Sequence, residues 1–198
     1  MVCHETYKTK TGEWIFPSNT YEKNNQFFSL ETNEPLIKGP SESMSKSKKN
    51  VVDPEAIINT YGADTARWFM LSDSPPGRDI NWSDSGIKGA WKFINKVWSL
   101  INENKEIFKT SINDNESETK NYLNLKKITH KNLRNITKSI ESFQMNVAVA
   151  KIYEMTNFLT TFEAKNNLEK SALKESIEIL IRVLEPMTPH LAEECWSI

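Results

Sequence analysis

The sequence predicts a mainly α protein: an antiparallel helical bundle preceded by a small β-rich segment and a cationic loop. Three observations carry this. From Ser83 onward, apolar residues recur at spacings of three and four, the period of a helix with one buried face. Before residue 43, short apolar runs alternate with turn residues instead. Between the two lies Ser41–Asn50, S-E-S-M-S-K-S-K-K-N, with three lysines, four serines and one acidic residue in ten positions. The chain therefore divides into 1–42 (β-rich), 43–82 (the loop and its connecting helices) and 83–198 (the bundle). The last stops at Glu194–Ile198 in the middle of a helical pattern, which suggests a piece of a longer chain.

In order, Glu13–Phe16 is closed by Pro17-Ser18-Asn19, and Gln26–Leu30 is followed by a turn and then Leu36-Ile37-Lys38. This predicts two or three short strands. Asp53 suits an N-cap and Pro54 the first helical residue. The pattern then predicts two helices broken at Tyr61-Gly62, with Gly62 as the left-handed residue that ends the first. Ser72–Gly77, with Pro75 and Pro76, is irregular, and Arg78–Trp82 is a short extended piece. Ile87, Ala90, Trp91, Ile94, Val97, Trp98 and Ile101 form the apolar stripe of the first bundle helix, which places both tryptophans in the core. Tyr122, Leu125, Leu133, Ile136 and Ile140 mark a second helix. Met145, Ala148, Val149, Ile152, Met155, Leu159 and Phe162 mark a third, and Leu173, Ile177, Leu180, Ile181 and Leu184 a fourth. Thr188-Pro189 starts a fifth, with threonine as cap. A polar segment around Asn113–Glu116 separates the first two.

Composition excludes several classes. The 198 residues carry 25 basic and 26 acidic side chains, a net charge of −1, so only a local patch can attract a polyanion. Cys3 and Cys195 lie far apart with no C-x-x-C pair, which suggests neither zinc nor a disulfide framework and fits a reducing, cytoplasmic setting. His4, His130 and His190 form no metal or triad spacing. Apolar runs are too short and too charged to cross a membrane, and the N-terminus lacks the basic and apolar parts of a signal peptide.

Two patches can attract a polyanion. Lysine ammonium groups beside serine hydroxyls and free backbone N–H groups suit a triphosphate, which singles out Ser41–Asn50. The alternative for such a run is a solvated surface turn. Lys127, Lys131, Arg134 and Lys138 fall at i, i+4, i+7 and i+11, one face of the second bundle helix, with Lys126 and His130 close by. Such a stripe can follow a phosphate backbone without reading bases; the alternative is an ordinary charged solvent face.

Ser43-Met44-Ser45-Lys46-Ser47 resembles the K-M-S-K-S loop of class I aminoacyl-tRNA synthetases. Asn50–Pro54 and Tyr61-Gly62-Ala63-Asp64-Thr65-Ala66-Arg67 follow at the family spacing. Ser47-Lys48-Lys49-Asn50 is similar to the leucyl branch, where isoleucyl and valyl enzymes usually carry Leu-Gly at the Lys48-Lys49 positions. Phe69-Met70-Leu71, Pro75-Pro76, Trp82 with Ser85-Gly86 and Gly89, and Phe93–Trp98 also look leucyl, and Met1–Thr6 resembles the strand that precedes the loop in bacterial leucyl enzymes.

The resemblance implies an anticodon-binding-like bundle, ATP with its Mg²⁺, leucine and tRNA(Leu) as ligands, and a cytoplasmic monomer. It implies leucyl-adenylate formation followed by transfer to tRNA. Lys46 stands where the family places its most direct phosphate contact, with Ser43, Met44, Ser45, Ser47, Lys48 and Lys49 as the rest of the ATP-binding loop. Ser43 replaces the first lysine of the motif, a lost cation that Lys48 or Lys49 can partly replace. Lys127, Lys131, Arg134 and Lys138 become the tRNA face, and no metal ligand is expected. Asp64 and Arg67 are expected to make a structural hydrogen-bond network between the loop helix and the bundle. The sequence contains no H-I-G-H-like motif and no nucleotide-binding sheet, so the chain alone is expected to be inactive. A stand-alone RNA-binding helical module and a valyl or isoleucyl relative are the alternatives.

Overall fold

A computed structural model describes residues 1–75, 77–109 and 117–198. Pro76 and the polar segment at 113–116 lie outside the described residues.

The N-terminal part holds five strands rather than two or three: β1 (Val2–Lys8), β2 (Trp14–Ile15), β3 (Thr20–Lys23), β4 (Gln26–Ser29) and β5 (Pro35–Ser43). The sheet order is β2-β1-β5-β4-β3, antiparallel throughout. The strand at 2–8 does not show a period-two alternation, since Thr6 and Tyr7 are both buried, and opposite Glu5 the partner strand β5 carries a bulge at Pro40 and Ser41. Pro40 thus sits within the bulge, where the missing N–H costs no ladder bond. β5 runs to Ser43, so its last three residues take the start of the stretch read above as loop.

Two helices follow the loop: α1 (Pro54–Tyr61) and α2 (Ala63–Ser72). Asp53 caps α1 as expected, its carboxylate accepting from Glu55 N–H at 3.0 Å. Gly62 separates the two at φ +86°, ψ 154°, an extended region that glycine alone adopts easily, rather than the left-handed helical well. β6 (Ile80–Asn81) then pairs in parallel with β1, on the edge opposite β5.

The bundle consists of α3 (Asp84–Glu103), a short α4 (Lys105–Lys109) that the sequence pattern does not predict, α5 (Lys120–Glu141), α6 (Met145–Thr160), α7 (Asn167–Leu184) and α8 (Pro189–Trp196). Its core includes Leu125, Ile136, Ile152, Met155, Leu159, Ile177, Leu180 and Leu184. The expected burial of Trp91 and Trp98 is incorrect: they are 44% and 39% exposed. α3 instead buries Ile87, Ala90, Phe93, Val97, Leu100 and Ile101 against α2 and α6. The stripe is thus centred one helical step away, and the two tryptophans stand on its margin. Gly86 permits the close crossing of α2, since a Cβ there would lie 2.6 Å from Phe69 Cε2.

The tryptophan that is fully buried is Trp68 of α2. It stacks on Phe93 with ring centroids 4.6 Å apart and 9° between planes, and its indole N–H donates to Tyr153 OH at 3.2 Å. The loop helix is thereby tied to α3 and α6. A second tie involves Asp64, also buried. Its carboxylate accepts from Arg67 at 2.7 Å, from Leu191 N–H at 2.7 Å, and faces His190 Nδ1 at 3.1 Å. Asp64 therefore serves as the N-terminal cap of α8 from another helix. Thr188, expected in that role, instead donates its hydroxyl back to Leu184 O at 3.2 Å.

A second buried carboxylate ties two helix starts together. Glu169 accepts from Thr119 Oγ1, the α5 cap, at 2.6 Å and from Lys165 N–H at 2.8 Å. The Thr119 hydroxyl and then the Lys165 amide hold its pKa below the ordinary glutamate value. A depressed carboxylate pKa means that the folded state binds fewer protons. Its stabilisation is present above the ordinary carboxylate range and is lost as pH falls through the folded value. Glu169→Gln is expected to lower neutral-pH stability by about 1 kcal/mol and to weaken the loss of melting temperature on acidification, read by thermal denaturation across that range.

Candidate functional site

The loop between β5 and α1 is organised by one amide. Asn50 is fully buried. Its Oδ1 accepts from Ser45 N–H at 2.8 Å, and its Nδ2 donates toward Glu42 O (3.0 Å), His4 O (3.3 Å) and Ser43 O (3.4 Å). The start of the loop, its end and strand β1 thus meet on one side chain. Residues 46–49 form a turn closed by Lys49 N–H on Lys46 O at 3.2 Å, with Lys49 in the left-handed region at φ +52°. Ser45 Oγ accepts from Lys48 N–H at 3.3 Å and lies 3.2 Å from Ser47 Oγ. The two serines therefore brace the turn. Ser43 directs its hydroxyl at Met1 Sδ, 3.6 Å away, and carries no charge to the site.

The three lysines separate in role. Lys48 pairs with Glu42 of β5. Lys49 pairs with Glu13 at 3.6 Å, and its ammonium lies 5.8 Å from the centroid of the Phe16 ring. Lys46 is exposed and makes no ion pair among the described residues. It lines a cavity of about 760 Å³ walled by His4, Phe16, Val52, Ile57 and Trp82. Two carboxylates, Asp53 and Asp84, also reach this cavity. The first is engaged as the α1 cap, and the second accepts from Trp82 Nε1 at 3.2 Å. Burial pushes the His4 imidazole below its usual pKa, which keeps it neutral. Lys46 is thus the one loop cation facing this space.

The described residues offer no group of three or more His, Cys, Asp or Glu side chains able to hold a metal. They do not fit a Mg²⁺ site of their own, and no step is assigned to one.

On α5, Lys127, Lys131, Arg134 and Lys138 are all exposed and make no ion pair among the described residues. Lys126 and His130, adjacent in sequence, turn toward α7 instead. Both meet Glu175, His130 Nε2 at 3.2 Å. No helix of the described residues is long and apolar enough to cross a membrane.

Sequence reasoning missed Glu13, His4 and Phe16 as parts of this site, and counted Glu42 in the stretch without its pairing to Lys48. Each reaches it through the sheet, and only Glu42 is close to the loop in sequence. Asn50 was visible in the motif, but its bonding was not.

Comparisons with known proteins agree with this layout. A family model described as tRNA synthetases class I (I, L, M and V) matches residues 18–83, and one described as the anticodon-binding domain of tRNA ligase matches residues 124–198. The leucine–tRNA ligase of Parvibaculum lavamentivorans is 42% identical over 202 aligned residues, covering 100% of this chain and 23% of that protein. That of Wolbachia pipientis wMel is 44% identical, covering 100% of this chain and 22% of that protein. Among solved structures, the Agrobacterium radiobacter K84 LeuRS in a ternary complex with tRNA and LeuAMS superposes with a TM-score of 0.69 at 28% identity, covering 78% of this chain and 20% of that one. The apo methionyl-tRNA synthetase of Mycobacterium tuberculosis shares the fold, with a TM-score of 0.57 at 17% identity over 74% of this chain and 34% of that one. This chain spans under a quarter of the length of these curated relatives. Over its whole length it is similar to leucine–tRNA ligases, and its two matched segments are those of class I tRNA synthetases and of their anticodon-binding domain.

Proposed function

We propose that this chain supplies two parts of a leucine–tRNA ligase: the loop that closes over the phosphates of ATP, and a helical bundle that contacts tRNA(Leu). The observation that carries the reading is Lys46, the loop cation with no ion-pair partner among the described residues, facing a cavity from a turn pinned by Asn50. In the proposed reaction a leucine carboxylate oxygen bonds to the α-phosphorus of ATP. The bond from that phosphorus to the bridging oxygen breaks, and pyrophosphate leaves with the negative charge. A hydroxyl of the terminal tRNA ribose then attacks the leucyl carbonyl and AMP leaves. Lys46 acts in the first step, as a cation whose interaction with the leaving pyrophosphate grows as charge develops. Mg²⁺ accompanies ATP as its counter-ion. The family likeness supports a cytoplasmic enzyme acting as a monomer. Catalysis is assigned to the full-length ligase, and the 198 residues alone are expected to form no leucyl-adenylate.

The α5 stripe is proposed as a phosphate-backbone contact, since its four cations line one exposed face and make no ion pair among the described residues.

Three outcomes are expected. In the full-length ligase, Lys46→Ala lowers the rate of leucine-dependent ATP–pyrophosphate exchange by about 10²–10³ and leaves the leucine KM near its original value. A normal exchange rate would remove Lys46 from the role. Asn50→Ala leaves Ser45 N–H and its carbonyl partners unpaired. It is expected to destabilise the fold by about 1–3 kcal/mol and to lower exchange without altering any cation, with stability read by denaturant titration. Arg134→Ala or Lys131→Ala weakens tRNA(Leu) binding and reduces the slope of log affinity against log salt by about one per contact, leaving exchange untouched. An unchanged slope would return the stripe to an ordinary solvent face.

A further inference from the structure

Lys48 and Lys49 are not spare cations waiting in solvent. Each is neutralised by a carboxylate of the β-rich segment, Glu42 on β5 and Glu13 in the connection between β1 and β2. The Lys48–Glu42 pair bears on Ser43 in particular. Glu42 is the residue immediately before Ser43, so the Lys48 ammonium is held at β5 one residue from the position of the motif's first lysine. The loop therefore keeps a cation near that point, but keeps it occupied. Lys49 lies beside Phe16, a wall of the cavity that Lys46 faces. All four side chains remain accessible: Lys48 and Glu42 are 39% and 33% exposed, Lys49 and Glu13 38% and 69%. An incoming polyanion can compete for either lysine without unfolding the loop, and surface pairs of this kind are weak enough to exchange partners.

We propose that Glu42 and Glu13 set the phosphate affinity of the loop. They are built-in competitors that hold Lys48 and Lys49 until a polyphosphate displaces them, and Lys48, once released from Glu42, supplies the cation that Ser43 does not. The proposal rests on the reading of the loop as a phosphate site. It gives the β-rich segment a role in ligand binding: two of its carboxylates restrain loop cations, while Lys46 is left free. Binding of a polyphosphate then exchanges two internal ion pairs for two external ones. The net gain is the difference between them rather than the full attraction of a free lysine.

A double-mutant cycle separates release of a lysine from general removal of negative charge near an anion. The full-length ligase is titrated with inorganic tripolyphosphate at low ionic strength by calorimetry, as wild type, Glu42→Gln, Lys48→Met and the double variant, with Lys46→Ala in parallel. Glu42→Gln is expected to tighten binding by about two- to five-fold. In the Lys48→Met background the same change is expected to give no gain. Glu13→Gln is expected to behave likewise against Lys49→Met. A gain that survives undiminished without the lysine, or no gain from either glutamine, overturns the competitor role. No binding by the wild type, or binding unaffected by Lys46→Ala, instead sinks the phosphate-loop reading on which the proposal rests. Melting temperatures of all variants confirm that the titrations compare folded chains.

Discussion

The burial of a single side-chain amide, that of Asn50, is the constraint on which the loop depends. A buried amide must satisfy its donors and its acceptor inside the protein, and Asn50 does so with backbone from three places at once. Because the partners are main-chain groups of His4, Glu42, Ser43 and Ser45, the arrangement fixes backbone positions rather than side chains. The turn at 46–49 can then carry three lysines with no apolar packing of its own. Its shape is held from below, and its surface is left to chemistry.

The same economy appears one helix further on. α2 sits between the loop and the bundle and is held by two different kinds of force. Trp68 contributes buried area and a near-parallel stack on Phe93. Asp64 contributes a charge-assisted cap on α8, where a free N–H is otherwise unsatisfied. One is insensitive to direction and the other is strongly directional. Together they fix how α2 meets α3, α6 and α8, and α6 packs on α5, which carries the cationic stripe, so the proposed ATP loop and the proposed tRNA face belong to one connected set of contacts.

What the sequence disclosed and what it hid follow from the range of the forces involved. Asp53-Pro54 and the break at Gly62 were legible because capping and backbone preference act within a few residues. The helices of the bundle were legible because the apolar period is a local record of a buried face. The tryptophans were misread for the same reason in reverse. Periodicity places Trp91 and Trp98 beside the stripe but does not fix its centre, which is set by where α2 and α6 pack. Thr188 has the right chemistry for a cap, yet a carboxylate 127 residues away took Leu191 N–H. In the loop, the composition pointed to an anion site. The partners of Lys48 and Lys49 depend on how the β-rich segment folds back, and β1 shows no period-two alternation because Thr6 and Tyr7 are both buried.

The parallel pairing of β1 with β6 has a consequence for inheritance. β1 holds β5 on one edge and β6 on the other, so everything from Ser43 to Ile80 is a ring whose two ends are clasped by one strand. Closing such a ring depends only weakly on its length, and extra residues within it are tolerated far better than a change in the clasp. The loop, α1 and α2 therefore form a cassette. Its exchange between relatives as a unit requires the strand at 2–8 to travel with it, together with the partners of Trp68 and Asp64 on α3, α6 and α8.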